Sequence, residues 1–217
     1  AGISLSVALP AVTKVSQRES VNRFAAKFQE GPVFSFGGIH PACENYKEIL
    51  IQVKELGMKG IKLHPDYQDM YFNDIRYKRL VEYASELGLI VVVHAGADPK
   101  SPEDVHCTPK MAKELILDVK PAKLVLAHMG GNELWDEVER ELVGMDVYFD
   151  TGVVLGRMSE EQFVRMVKGH GADKILLSTD SPGAGHKESV DILSEMPLTP
   201  EEKEQIFSGN ACRLLEI

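Results

Sequence analysis

The stretch Leu89-Ile90-Val91-Val92-Val93-His94-Ala95-Gly96 decides the fold. Its opening apolar run is too long for a strand with one wet face, so it reads as a strand covered on both sides, as in a parallel sheet flanked by helices. A histidine closes the run. The same form recurs in Lys123-Leu124-Val125-Leu126-Ala127-His128 and in Lys174-Ile175-Leu176-Leu177-Ser178-Thr179-Asp180. Buried strands that each end in a metal-ligand or acid–base side chain gather one site at one end of a barrel.

Upstream, Gly60-Ile61-Lys62-Leu63-His64-Pro65 is a short strand in which Lys62 and His64, two apart, point to the same side. A barrel interior does not hold both without a purpose. Val33 to Phe36 runs into Gly37-Gly38-Ile39-His40-Pro41, a loop whose glycines let the backbone approach a ligand closely. Asp98 to Thr108 is a polar loop long enough to cover a pocket, and it carries His106, read as a solvated loop histidine.

Strands are therefore expected at 3–10, 33–39, 59–64, 89–94, 123–128, 146–151 and 174–180. Helical stripes separate them. Ser20 is the expected cap for Val21, Phe24, Ala25 and Phe28, Gly57 and Gly88 close the next two helices, and Pro109 opens a fourth. Ser159 and Thr199 each begin a capping-box spacing. The Phe24/Phe28 and Met111/Leu115 stripes read as core packing. His40, His64, His94, His128, Asp150 and Asp180 follow one another at gaps of 24, 30, 34, 22 and 30, the rhythm of successive βα units.

Seven strands are one short of a closed (β/α)8 barrel, which typically takes about 250 residues. The expected fold is thus α/β, a TIM-like barrel of seven βα units whose first strand of eight is either missing or outside this sequence, with residues 1–217 forming one domain. Two unpaired edges would be an aggregation liability.

The formal net charge of -9, without any long Lys/Arg cluster, disfavours nucleic acid and anionic membrane surfaces and favours a small-molecule substrate. Cys43, Cys107 and Cys212 lie far apart in no metal-binding spacing, which reads as a reducing, cytoplasmic setting. No apolar run of about 20 residues is present to span a membrane. A homo-oligomer stays open.

Across nearly the whole chain, an ordered set of motifs resembles the amidohydrolase superfamily. Its members are Gly60-Ile61-Lys62-Leu63-His64-Pro65, His94-Ala95-Gly96, Leu126-Ala127-His128-Met129-Gly130-Gly131, Tyr148-Phe149-Asp150-Thr151, Leu177-Ser178-Thr179-Asp180-Ser181-Pro182 and Gly209-Asn210-Ala211-Cys212-Arg213-Leu214-Leu215. Within the superfamily they are similar to the amidohydrolase-related group of metal-dependent TIM-barrel hydrolases and decarboxylases, which includes the aminocarboxymuconate semialdehyde decarboxylase type. The resemblance implies that His94 and Asp180 bind a divalent metal and that His128 binds it or orients the reactive water. That family's His-x-His pair on the first strand has no counterpart in this sequence, in agreement with the strand count.

Imidazoles and a carboxylate suit zinc, which in catalytic sites takes about three protein ligands and lowers the pKa of a bound water to about 7. The first expectation is a zinc-dependent hydrolase of a small amide, ester or lactone. In it Asp180 and His128 are catalytic, His94, Asp180 and His128 hold metal, and His64, Lys62 and His40 bind substrate. The alternatives are a nonhydrolytic decarboxylase using the same metal site and a catalytically silent barrel serving as a binding or scaffold subunit. Lys62 is also read as a carbamylated metal bridge or a structural ion pair, and Asp150 as a strand-end cap.

Overall fold

A computed structural model describes all residues, 1–217. The expected strands appear in the expected order, mostly shortened: β1 Ser6–Ala8, β2 Val33–Ser35, β3 Gly37–Gly38, β4 Gly60–Leu63, β5 Ile90–Val93, β6 Leu124–Leu126, β7 Tyr148–Asp150 and β8 Ile175–Leu176. All pairings are parallel, in the order β1-β2 and β3-β4-β5-β6-β7-β8. One passage of chain supplies both β2 and β3, and at the residue between them the Phe36 amide donates to the Ala8 carbonyl at 2.9 Å. The array is therefore a partial TIM barrel that does not close, since β1 and β8 do not pair.

The long apolar run of β5 divides as a doubly covered strand should. Leu89, Val91 and Val93 pack into the main core under the helices, whereas Ile90 and Val92 join Phe36, Val125, Leu214 and Leu215 in a smaller interior cluster. Alternate residues thus face opposite layers. Leu214 and Leu215 come from the last helix, so the chain's final turns pack against this inner cluster. Register places Lys62 beside Val92, and Val92 beside Val125, on this inner face.

The open edge at β8 is covered. Leu177 donates its amide to the Ile206 carbonyl at 2.9 Å, and the buried Asn210 side chain donates to the carbonyls of Ala172 and Ile175 at 2.6 and 2.7 Å. A π turn at Gln205–Gly209, ahead of the helix Asn210–Leu215, makes this reach. Peptide groups that would otherwise template another strand are satisfied within the chain.

Two local expectations are corrected. The first helix spans Arg18–Ala25, so Ser20 lies inside it rather than capping it; a turn at Val15–Gln17 leads in, and the Gln17 side chain accepts from the amides of Thr13 and Lys14. Phe24 and Phe28 are not core: they are 62% and 39% exposed and meet at 5.1 Å with their rings tilted by 58°, beside an apolar groove formed with Leu9, Pro10 and Val33. The buried face of that helix is instead Asn22 and Ala25, with Asn22 exchanging two hydrogen bonds with Gly38. Helical spacing gives a stripe but not the side on which the sheet lies. No helix is long and apolar enough to cross a membrane.

Candidate metal centre

At the C-terminal end of β4 the chain turns through His64-Pro65-Asp66, and Gln68 anchors the turn. Its buried side chain donates to the carbonyls of Val12 and Ile39 at 2.8 and 2.9 Å and accepts from Tyr77 Oη at 2.7 Å, tying three strand ends together. His64 is buried between Tyr67 and His94, with parallel rings at 3.7 and 4.1 Å. Burial, with the Lys62 ammonium next, pushes its pKa down to about 3.

His94 ends β5 and His128 follows β6, where both it and Met129 adopt left-handed backbone at φ 60° and 53°. That backbone swings the His128 ring behind His94: its Nε2 lies 3.0 Å from His94 Nδ1, and its Nδ1 lies 2.9 Å from the Gly152 carbonyl. A carbonyl only accepts, so Nδ1 of His128 carries the proton, and in the neutral ring Nε2 must accept from His94 Nδ1–H. Neutral His94 is then left with a bare lone pair on Nε2. Burial, followed by the neighbouring His64 and His128, holds the His94 pKa far below its ordinary value, which keeps it neutral.

That lone pair faces carboxylates. His94 Nε2 lies 3.7 Å from Asp98 Oδ2 and 3.9 Å from Asp66 Oδ2, while His64 Nε2 lies 3.7 Å from the same Asp98 oxygen. At these separations no hydrogen bond forms, and both His94 Nε2 and Asp66 Oδ2 are buried without a hydrogen-bond partner. Lone pairs crowded together away from water are costly unless a cation lies among them. His64, His94 and Asp98 place their ligand atoms within 4.8 Å of one another, so the donor set fits a divalent metal ion.

The structure thus brings His94 and His64 together, and groups both with Asp98. Both His128 ring nitrogens are engaged within the protein, so His128 supports His94 from behind. Asp180 lies at the exposed rim in left-handed backbone, close to Gly152. Asp150 Oδ1 accepts from the amides of His128 and Gly152 at 3.1 and 2.9 Å, the strand-end cap expected of it. Lys62 is buried, with burial lowering its pKa against the attraction of Asp150 and Asp180, and it has no ion pair within reach. His40 is half-buried outside the cluster and accepts from the Ala42 amide at 3.2 Å.

Sequence reasoning missed Asp66 and Asp98. Asp98 stands four residues beyond His94, but a loop has no period by which such a spacing could be read. His106 is not a solvated loop histidine: its side chain is 13% exposed and its Nδ1 lies 3.1 Å from Asp66 Oδ1. The Asp98–Thr108 loop supplies part of the site, through Asp98 and through the bonds of Ser101 and His106 to Asp66.

The family model described as amidohydrolase matches residues 7–217. No curated protein sequence matches the chain. Among solved structures, the chain is similar to 5-carboxyvanillate decarboxylase from Novosphingobium aromaticivorans DSM 12444, complexed with manganese and 4-hydroxy-3-methoxy-5-nitrobenzoic acid (TM-score 0.79, 15% identity, 100% of this chain and 77% of that one). It is similar to dihydroxybenzoic acid decarboxylase from Polaromonas sp. JS666 with manganese and 2-nitroresorcinol (TM-score 0.70, 18% identity, 100% and 80%). An uncharacterized TIM-barrel protein from Bordetella bronchiseptica aligns with a TM-score of 0.74 at 21% identity over 100% and 79%. The expectation of hydrolysis is corrected by these neighbours, whose named activities are predominantly decarboxylations. Sequence patterns could not make that distinction, because both chemistries place the same ligand types at the same strand ends.

Proposed function

Because the chain belongs to the amidohydrolase family and is an enzyme of that superfamily, we propose that it is a divalent-metal-dependent, nonhydrolytic decarboxylase of a small, flat carboxylic acid. The observation that carries this reading is the buried Lys62, an amine without an ion-pair partner on the inner face of the barrel two residues before His64. Burial lowers its pKa, and an anionic ligand beside it would restore the charged form. The neighbours' decarboxylase activities support the same choice.

His64, His94 and Asp98 are the residues that would hold the metal. Two imidazoles with carboxylate suit zinc as well as manganese, the ion present in two neighbours. A divalent ion there supplies Lewis acidity to an oxygen of the bound acid. Lys62 draws the anion in and fixes its orientation. As the bond to the carboxylate carbon breaks, carbon dioxide leaves and the electron pair stays on the substrate, where the Lys62 charge stabilises it. That carbon must then take a proton. Asp180, at the exposed rim and in exchange with solvent, is the proton carrier. The outer face of the half-exposed Tyr67 ring, held by its stack on His64, offers a flat wall suited to a planar acid, and His128 keeps His94 in its metal-binding tautomer.

The test is carbon dioxide release by manganese- or zinc-loaded protein from hydroxylated aromatic acids, including 2,6-dihydroxybenzoate and 5-carboxyvanillate. Turnover is expected to fall at least about 100-fold in Lys62→Met and in Asp180→Asn. Wild-type turnover in Lys62→Met, or no carbon dioxide from any acid with metal bound, would refute the reading.

A further inference from the structure

Asp66 is fully buried in the turn after β4, and its two carboxylate oxygens have different surroundings. Oδ1 is saturated by the Asp98–Thr108 loop: it accepts from Ser101 Oγ and from the His106 amide at 3.3 Å, and His106 Nδ1 lies 3.1 Å away. Oδ2 has no partner and points to His94 Nε2 at 3.9 Å. A carboxylate with one oxygen fully used and the other buried bare is costly unless something positive meets the bare one.

The protein does not provide that charge. Lys100, the lysine of the same loop, directs its Nζ to the Asp66 main-chain carbonyl at 2.7 Å and to Asp69 Oδ1 at 2.6 Å. His106 serves the saturated oxygen. Asp98, the other carboxylate before His94, is itself an acid and supplies no positive charge to Oδ2.

We propose that Asp66 is an additional metal ligand through Oδ2 and that, through Oδ1, the bound metal fastens the Asp98–Thr108 loop over the site. The proposal rests on the metal centre of His64, His94 and Asp98 described above. Its second half follows from connectivity. The loop brings Asp98 to the ion directly and brings Ser101 and His106 to it through Asp66. Other bonds hold its far end, with the Phe72 amide donating to the His106 carbonyl at 2.8 Å and the Gly96 amide to the Cys107 carbonyl at 2.9 Å. Without the ion, two carboxylates and a bare imidazole nitrogen push apart, and the loop segment that carries Asp98 loosens first. With the ion, the same groups pull together, so ligand and lid are one element.

The experiment titrates metal-free protein with manganese, following free ion by electron paramagnetic resonance, and compares backbone hydrogen exchange with and without manganese. Asp66→Asn keeps the side-chain shape and the acceptor for Ser101 and the His106 amide while removing the charge. It is expected to weaken manganese binding at least about tenfold. In wild type, manganese is expected to slow exchange within residues 98–108, and in Asp66→Asn that slowing is lost. Wild-type affinity in Asp66→Asn overturns the Asp66 assignment while leaving the His64, His94 and Asp98 centre standing. Failure of the wild type to take up manganese overturns both. The exchange measurement on wild type requires no variant to fold: unchanged exchange across 98–108 on manganese binding overturns the coupling.

Discussion

Replacing His128 by asparagine tests the relay behind His94. In the native protein the ring spans from the Gly152 carbonyl to His94 Nδ1, at 2.9 and 3.0 Å, and His94 and Gly152 are both buried. Asparagine is too short to make both bonds, which leaves a buried donor and a buried acceptor unpaired at about 1–3 kcal/mol each, or about 2–6 kcal/mol together. The backbone works the other way. His128 has φ 60°, where asparagine is far more comfortable, and this returns about 1 kcal/mol. The expected net loss is about 1–5 kcal/mol, a large share of a typical total stability of about 5–15 kcal/mol. With a urea dependence of about 2 kcal/mol per molar, the unfolding midpoint of metal-free His128→Asn should fall by about 0.5–2.5 M. Freed of its acceptor, His94 also loses the preference that leaves Nε2 bare, so manganese affinity should drop by about 10- to 100-fold. A midpoint equal to or above wild type would show that the two contacts carry no stability, and the tautomer derivation would fall with them.

Two further outcomes follow from positions away from this relay. Gly96 has φ 88°, and a Cβ there would lie 2.0 Å from the Asn132 amide nitrogen, so Gly96→Ala forces the β5 and β6 loops apart; Gly57, at φ 81° with nothing within 4 Å of such a Cβ, isolates the backbone cost of about 1–2 kcal/mol. Thermal unfolding should find Gly96→Ala several-fold more damaging than Gly57→Ala, and equal losses would contradict the close approach. Acid sensitivity of the metal-free protein has a definite sign: burial first of all lowers the pKa values of His64 (to about 3), His94 and His170, so between pH 6.5 and about 3 the unfolded chain binds more protons than the folded one. Stability is then complete above pH 6.5 and is lost as the pH falls, by up to about 1.4 kcal/mol per unit for each histidine. Urea midpoints measured between pH 7 and 5, above the range where carboxylates titrate, should decline, and a flat profile would refute the assignment.

The fold was legible wherever burial on both faces imposed an unbroken apolar run. Residues 89–94 announced a parallel strand because no half-exposed strand tolerates Leu-Ile-Val-Val-Val, and the even spacing of strand-end histidines and aspartates then dictated successive βα units. What periodicity does not convey is which side of an amphipathic helix meets the sheet, and so the spacing of Phe24 and Phe28 points to core although Asn22 and Ala25 are the buried pair. The same division runs through the site. His64 and His94 are fixed by strand geometry, so sequence places them at the barrel mouth. His128, at an equivalent strand end, is turned by two successive left-handed residues, and side chains carry no signal for that rotation. Asp66 and Asp98 lie in loops, where position depends on contacts between distant segments such as Ser101 to Asp66 and Gly96 to Asn132 rather than on any repeat. Strands therefore supply the imidazoles and loops the carboxylates. On the proposal above, a centre so assembled would keep its nitrogen ligands in place when empty and gather its oxygen ligands when filled, which ties metal affinity to closure of the Asp98–Thr108 loop.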